Sequence, residues 1–284
     1  MVVLVTGSGG QLGQSLQFIA PNYPEIDSVF CNSTDLDITN IENVKQVFEK
    51  YKPKFCINTA AYTAVDKAES EPEKAYLINV LGVENLAKIC KTFNTTLIQI
   101  STDFVFDGDS QTPYNENDTP NPTGVYGQTK LDGEKIVQAI LDNHIIIRTS
   151  WVYSQFGNNF MKTMIRLGNE KHTLSVVNDQ IGTPTNAVDL AEAIIKIILK
   201  LNLPIFPSGA RGLFNFSNEG SCSWYEFAKR IFEINTISID LKPIPTSSYP
   251  TPAKRPAYSV LDKSKIKKTF GIEIKNWKDS LIKT

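Results

Sequence analysis

The sequence predicts an α/β protein: a doubly wound parallel sheet with helices on both faces, followed by a smaller C-terminal α/β lobe. Three observations predict it. Short β-type runs alternate with helical stretches through the first half of the chain, the pattern of a parallel sheet with right-handed crossovers. A glycine-rich loop sits at the first strand-to-helix junction. After Trp151 the alternation loosens, which marks the change to a second lobe.

Val2–Thr6 (VVLVT) is a continuous run, as expected of a strand buried on both faces. Residues 11–20 read as the following helix, stopped near Pro21. Residues 28–31 are a second strand. Ile41, Val44, Val47 and Phe48 recur at helical spacing. Residues 55–60 are a third strand, and residues 73–93 read as one long helix with Ala75, Ile78, Leu86, Ala87 and Ile89 inward. Residues 96–101 are a fourth strand, 124–141 a helix and 144–150 a further strand. Beyond Trp151, residues 159–168, 188–201 and 223–232 read as helices and 213–217 as a strand. Residues 243–256 are too proline-rich for regular structure. They form either a linker or an ordered loop lining a site.

Composition excludes several classes. The 284 residues include 29 Lys plus Arg and 30 Asp plus Glu, a formal net charge of −1. Such a chain has no global electrostatic drive toward nucleic acid or an anionic membrane, so neither is expected as a partner. The most apolar helical stretch, residues 193–201, carries Lys196 and Lys200 and is too short to span a bilayer. MVVLV leads straight into the glycine loop and reads as a strand, not a signal peptide. Cys31, Cys56, Cys90 and Cys222 form no CxxC pair. Buried free thiols in a reducing cytoplasm are therefore expected. His144 and His172 have no ligand-like spacing, and no metal site is expected.

The first strand is followed by Thr6-Gly7-Ser8-Gly9-Gly10-Gln11-Leu12-Gly13. Glycines at 7, 10 and 13 fit a GxxGxxG loop. Such a turn visits backbone angles that side chains forbid, and a pyrophosphate must reach the N–H groups at the helix N-terminus without meeting a Cβ. A dinucleotide site usually has an acid after the second strand to hold the adenine ribose. Here that point reads Cys31-Asn32-Ser33. The choice between NAD and NADP stays open, with a lean against strict NAD. Asp37-Ile38 follows, as an adenine contact or as a helix N-terminal signal.

The fourth strand ends in Ser101-Thr102-Asp103, and Tyr126-Gly127-Gln128-Thr129-Lys130 opens the next helix. In open α/β sheets ligands gather at the carboxyl ends of strands. Tyr126 and Lys130 are four apart on a helix and share a face. Free tyrosine has a pKa of about 10. A nearby ammonium lowers it, by about 2–3 pH units here, into the range of acid–base work. A Thr102 hydroxyl can share the same carbonyl oxygen, and Lys130 can bond a nicotinamide ribose.

The glycine loop, Ser-Thr strand end and YxxxK motif resemble the extended short-chain dehydrogenase/reductase superfamily, which has a Rossmann-like fold. VTGSGGQLG, AAYTAVDKAE, STDFVF, RTSWVY, DQIGTPT and TPAKRP narrow the resemblance to its dTDP-4-dehydrorhamnose reductase family. The resemblance implies an oxidoreductase that uses NADPH or NADH on a dTDP-linked 4-keto-6-deoxy sugar, and it leaves a homodimer open. It implies an NAD(P)-binding domain over residues 1–153, completed by segments within 173–217, and a mainly substrate-binding lobe over 154–284. Gly7, Gly10, Gln11, Leu12 and Gly13 would hold the pyrophosphate, Asp37 and Ile38 the adenine, and Ala60, Ala61 and Thr63 the length of the cofactor. Lys130 would bind the nicotinamide ribose, Tyr126 would donate the proton and Thr102 would bond the substrate carbonyl. Val65, Asp103, Phe104 and Trp151 would border the sugar, and Asn159 and Arg255 the diphosphate. Phe104 stands where members of the family often carry Tyr. Gln14-Ser15 stands where some carry an acid for an interface magnesium, so no metal is carried over. Two alternatives stay open: a reductase of another nucleotide-linked 4-keto-6-deoxy sugar, and a non-catalytic regulatory subunit of the same fold.

Overall fold

The buried residues of the first strand divide between two apolar clusters, Val3 and Val5 on one side and Leu4 on the other. This is the two-residue period of a strand buried on both faces. The computed structural model describes residues 1–205 and 209–281. Residues 206–208 and 282–284, inside the expected C-terminal lobe, lie outside the described residues.

In chain order β1 (Val2–Thr6) feeds α1 (Gln11–Ile19), β2 (Asp27–Cys31) feeds α2 (Ile41–Tyr51), and β3 (Phe55–Asn58) feeds the short α3 (Val65–Ala68) and α4 (Pro72–Tyr76). A π-helical segment, Leu77–Leu81, joins α4 to α5 (Gly82–Thr92). The long helix expected over 73–93 is therefore a helical run widened in its middle by a local i→i+5 pattern. β4 (Thr96–Thr102), α6 (Val125–Ile140) and β5 (His144–Thr149) follow. β10 (Gly212–Asn215) completes a sheet of six strands in the order β10-β5-β4-β3-β1-β2. Every adjacent pair is parallel.

Helices cover both faces. Ile57, Ile98, Ile145 and Ile147 pack with Leu12 and Leu16 of α1 and with Leu190, Ile194 and Ile198 of α8 (Ala187–Leu201). Cys56, Leu97 and Ile146 pack on the other face with Val44 and Phe48 of α2, Leu86 of α5 and Val137 of α6. Burying a large apolar side chain is worth roughly 1.5–3 kcal/mol, so these two layers dominate the stability of the sheet.

Most of the remaining elements build a smaller α/β unit. β6 (Val152–Tyr153), α7 (Phe160–Glu170), β7 (Thr173–Val177), β8 (Ile181–Gly182) and β9 (Thr185–Asn186) precede α8. β11 (Cys222–Ser223), α9 (Trp224–Asn235), β12 (Asp240–Ile244), α10 (Ser264–Phe270) and α11 (Trp277–Ser280) follow β10. Met161, Met164, Phe227, Ile231 and Trp277 form its core. α10 instead returns to the large sheet, with Ile266 and Phe270 packed in the α8-side layer. A capping box between Ser223 and Glu226 starts α9. β7 and β12 pair in parallel with Pro243 opposite Val176. Proline has no N–H to donate, and it is tolerated here because a two-stranded sheet has only edges. The strand thus intrudes on the segment read as irregular. The rest of that segment is an ordered loop, tied down by Arg255 and Ala253, and not a free linker. All four cysteines are buried free thiols. Among the described residues no helix is long and apolar enough to cross a membrane.

Gly13 shows how tightly α1 seats on its loop. A Cβ there would lie 2.5 Å from Ser8 Cα and 2.7 Å from the Gly7 carbonyl oxygen. Gly13→Ala is expected to cost about 1–3 kcal/mol, the range for overpacking a close contact. Urea denaturation of the purified variant checks it, and an unchanged midpoint would refute the packing account.

Candidate active site

A cavity of 740 Å³ opens at the carboxyl ends of the sheet strands, beside the reversal of strand order at β1 and β3. Open α/β sheets bind ligands at such a reversal. Asn58, Thr102 and Thr149 line the cavity from the ends of β3, β4 and β5. A hollow of 860 Å³ on the outer side of α4 and α6, walled by Tyr76, Leu77 and Leu81, contains none of the expected catalytic groups.

Gly9, Gly10, Gln11 and Leu12 line the cavity where α1 begins. Gly10 caps α1 in an extended conformation and offers no side-chain cap. The first N–H groups of the helix therefore lack a capping side chain and suit an anion. A Cβ at Gly9 would meet nothing within 4 Å, so the loop is an open cradle there. Gly7 and Gly13 are not among the lining residues. Gly7 has φ +64°, and a Cβ on it would lie 2.5 Å from the Ala60 nitrogen. Both glycines let the loop approach its neighbours closely, which shapes the cradle from behind. A pyrophosphate fits this arrangement of donors and open backbone.

The central expectation concerned Thr102, Tyr126 and Lys130, and all three line this cavity. Gly124 caps α6, and the second and sixth helical residues, Tyr126 and Lys130, face the end of β4. The Thr102 hydroxyl donates to Asp103 Oδ1 at 3.0 Å and accepts the Phe104 N–H at 3.2 Å, and it stands near enough to the Tyr126 phenol to bear on its protonation. Buried Lys130 donates from Nζ to the Ile100 carbonyl at 2.6 Å. The electrostatics correct one expectation. Burial pushes the Tyr126 phenol up to about 12, aided by the Asp103 charge, and the Thr102 hydroxyl only partly offsets it. Burial also brings Lys130 down to about 8. Desolvation thus sets the phenol's value, where the sequence pointed to a lowering by the Lys130 ammonium.

Ala60, Ala61, Thr63 and Val65 run along one wall, and Asp103, Phe104 and Trp151 along another. Asp103 is 2% exposed. Burial raises its carboxyl to about 6 although Oδ1 accepts the Thr102 hydroxyl at 3.0 Å; Oδ2 is buried without a hydrogen-bond partner among the described residues. Phe104 meets Tyr126 edge-on, with ring centroids 5.6 Å apart. Trp151 has φ +47° and stacks on Trp224 at 3.5 Å and 9°. Gly182 makes room for it, since a Cβ there would lie 2.5 Å from the indole.

Asn159 and Arg255 line the cavity, but both are engaged within the protein. Asn159 Nδ2 donates to Gln11 Oε1 at 2.9 Å and to the Ser154 carbonyl at 2.7 Å. Arg255 forms a two-pronged pair with Asp66 at 3.0 and 2.7 Å, and the guanidinium holds that carboxyl below the usual range. Asp37 and Ile38 lie outside the cavity lining. Asp37 Oδ1 accepts the Thr39 N–H and hydroxyl, and Ile38 is buried against Gly82 in the core between α2 and α5. In this structure the pair forms a turn before α2.

The whole chain, residues 1–284, matches the family model described as the RmlD substrate binding domain. The chain belongs to the RmlD family. It is 40% identical to the dTDP-4-dehydrorhamnose reductase of Aggregatibacter actinomycetemcomitans, over 98% of this chain and 96% of that enzyme. The crystal structure of the Bacillus anthracis dTDP-4-dehydrorhamnose reductase in complex with NADP superposes with a TM-score of 0.92 at 40% identity, covering 98% of this chain and 96% of that one. The Clostridium acetobutylicum orthologue gives a TM-score of 0.92 at 43% identity, covering 99% and 96%.

Several residues in and beside this RmlD-family cavity escaped the sequence reading. Asn58 accepts the Thr6 hydroxyl at 2.6 Å and donates to Gln99 Oε1 at 2.8 Å, a buried polar chain across three strands beneath the cavity. Its signal was a polar residue inside the apolar run FCIN. Asp66 lies within the quoted motif AAYTAVDKAE, yet its partner is 189 positions away. Trp224 had no local signal, because its stack on Trp151 joins the two units of the fold.

Asp103 yields a pH test. Its folded value of about 6 lies above the unfolded value of about 3.9. The fold therefore holds more protons than the unfolded chain between these values, and stability falls as pH rises through that window. Asp103→Asn is expected to remove this slope and to raise stability at pH 7 by up to about 3 kcal/mol. Urea midpoints measured from pH 4 to 8 decide it; parallel curves for the two proteins would rule the account out.

Proposed function

We propose that this chain reduces the C4 ketone of dTDP-4-dehydro-L-rhamnose to give dTDP-L-rhamnose, using NADPH, with NADH as the alternative donor. The observation that carries the reading is the meeting of Thr102, Tyr126 and Lys130 in one cavity that also receives the uncapped start of α1, in a member of the RmlD family. In this reading residues 1–153 with β10 hold the cofactor, and residues 154–284 mainly hold the sugar nucleotide. A cytoplasmic location belongs to the same reading, supported by the four free thiols.

Bound NADPH supplies the hydride that reduces C4. The protein supplies the rest. The first N–H groups of α1 and the open backbone at Gly9 and Gly10 receive the pyrophosphate. Tyr126 delivers a proton to O4. In the reductive direction the phenol must begin protonated, and its value of about 12 ensures that it does. Thr102 and Tyr126 both donate to O4 as negative charge grows there, which stabilises the transition state more than the ground state. The Lys130 ammonium then stabilises the phenolate left behind. Trp151, Phe104 and Val65 border the sugar, and Arg255 stands at the diphosphate side, where a polyphosphate would compete with Asp66 for its guanidinium.

Oxidation of NADPH and NADH should be followed with enzymatically prepared dTDP-4-dehydro-L-rhamnose, with identification of the sugar product. Tyr126→Phe is expected to lower turnover by about 10²–10⁴-fold while NADPH binding persists. A near-parental rate would overturn the role of Tyr126. Turnover only with another nucleotide-linked keto-sugar would move the substrate assignment to that sugar. No oxidation with any keto-sugar, together with stable co-purification with another enzyme, would favour a regulatory subunit.

A further inference from the structure

A set of buried charges behind Lys130 has no part in the chemistry above. Glu134 lies one helical turn beyond Lys130 on α6, and Arg148 lies on β5; each is 2% exposed. Arg148 Nη2 donates to Glu134 Oε2 at 2.6 Å, and its Nε donates to Oε1 at 2.9 Å. The Ser101 hydroxyl donates to the same Oε1 at 2.5 Å. The guanidinium carbon also stands 5.0 Å from the centre of the Phe106 ring. Three elements of the site therefore meet at one carboxylate: α6 with Tyr126 and Lys130, β4 with Ser101 next to Thr102, and β5 with Arg148 next to Thr149.

Stability does not account for this arrangement. Taking two charges out of water costs about as much as their attraction returns, and apolar residues of the same volume often serve a core equally well. The consequence lies next door. Lys130 is 5% exposed, and burial disfavours its charged form. We propose that Glu134, fixed in place by Arg148 and Ser101, is a positioning residue for Lys130: its carboxylate keeps the buried ammonium protonated at the carboxyl end of β4.

The charged and titratable groups around Lys130 are Tyr126 and Glu134 on α6, Asp103 after β4, Arg148 on β5 and Arg255 across the cavity. Glu134 is the one whose field raises Lys130, against the burial that brings it down to about 8. Arg148 neutralises the far side of the carboxylate and holds it in a single orientation. Loss of Glu134 therefore lowers the Lys130 value further, and each pH unit lost means a tenfold smaller ratio of ammonium to amine at a given pH.

This inference deepens the reductase reading, since it concerns the same lysine, but its test needs neither substrate nor turnover. The protein is labelled with 13C-lysine, and the Lys130 Cε resonance, assigned by its disappearance in Lys130→Met, is followed against pH. Glu134→Gln leaves Arg148 buried without its anion and endangers the fold. The double variant Glu134→Leu, Arg148→Met removes both charges together and keeps the core apolar. Arg148→Met alone keeps the Glu134 charge; in the folded double variant the Lys130 midpoint is expected to lie about one pH unit or more below that of Arg148→Met, and NADPH affinity, read by fluorescence, to weaken at lower pH than in that single variant. Glu134→Asp, which keeps the charge, is expected to hold the midpoint near the parental value. Equal midpoints in the double variant and in Arg148→Met overturn the proposal, whatever their turnover. A midpoint below that of Arg148→Met in a protein that reduces no keto-sugar upholds the proposal and refutes the reductase reading alone.

Discussion

The site depends on how closely α6 lies against the end of β4. Gly127 permits it, and Gly133 lets the same helix seat on the Leu77–Leu81 segment. A Cβ at position 127 would run into the Phe104 carbonyl, and one at position 133 into the Asn79 carbonyl. At both points helix backbone sits against neighbouring backbone, with no side chain between. Tyr126 and Lys130 flank Gly127 on that helix, so the same approach brings phenol and ammonium to Thr102 and the Ile100 carbonyl. A helix held off by the width of a methyl group would leave the two hydroxyls out of reach of a shared oxygen. The polar cross-ties follow from that closeness, since the Glu134 carboxylate can reach Ser101 and Arg148 only when helix and strands are this near.

Burial sets the charges at this junction. It favours the neutral forms of Tyr126 and Asp103 and works against the cation of Lys130. A reductase benefits from the first effect, because a proton donor must hold its proton until negative charge develops on the substrate. The second effect needs a counterweight, and the carboxylate one turn along the helix is placed to be one. Site chemistry and core electrostatics are thus a single problem in this fold, divided between the two sides of α6.

The two units of the fold are joined around the cavity rather than through a separate linker. Asn159 at the start of α7 bonds Gln11 at the start of α1, so the cap of one helix in the smaller unit is anchored on the glycine loop. Arg255 in the proline-rich loop pairs with Asp66 on α3. Trp224 stacks on Trp151 just beyond β5. Each contact crosses the cavity rim, and each engages a residue that also lines the cavity. Ligand and fold therefore draw on the same polar and aromatic groups.

Much of this was legible in the chain alone. Apolar runs buried on both faces mark the parallel strands because each side of the sheet must be covered. A glycine loop after the first strand and YxxxK after the fourth lie at strand ends because that is where an open sheet leaves room. Local chemistry dictates these features, so local sequence reports them. What the sequence left open depends on residues brought together from afar. Asp66 with Arg255, Glu134 with Arg148 and Trp151 with Trp224 carry no mark of their partners in any short window. The protonation of Tyr126 was misjudged for the same reason: spacing on a helix places a lysine nearby, but a pKa is set by how much water the assembled fold removes, and only the tertiary structure determines that.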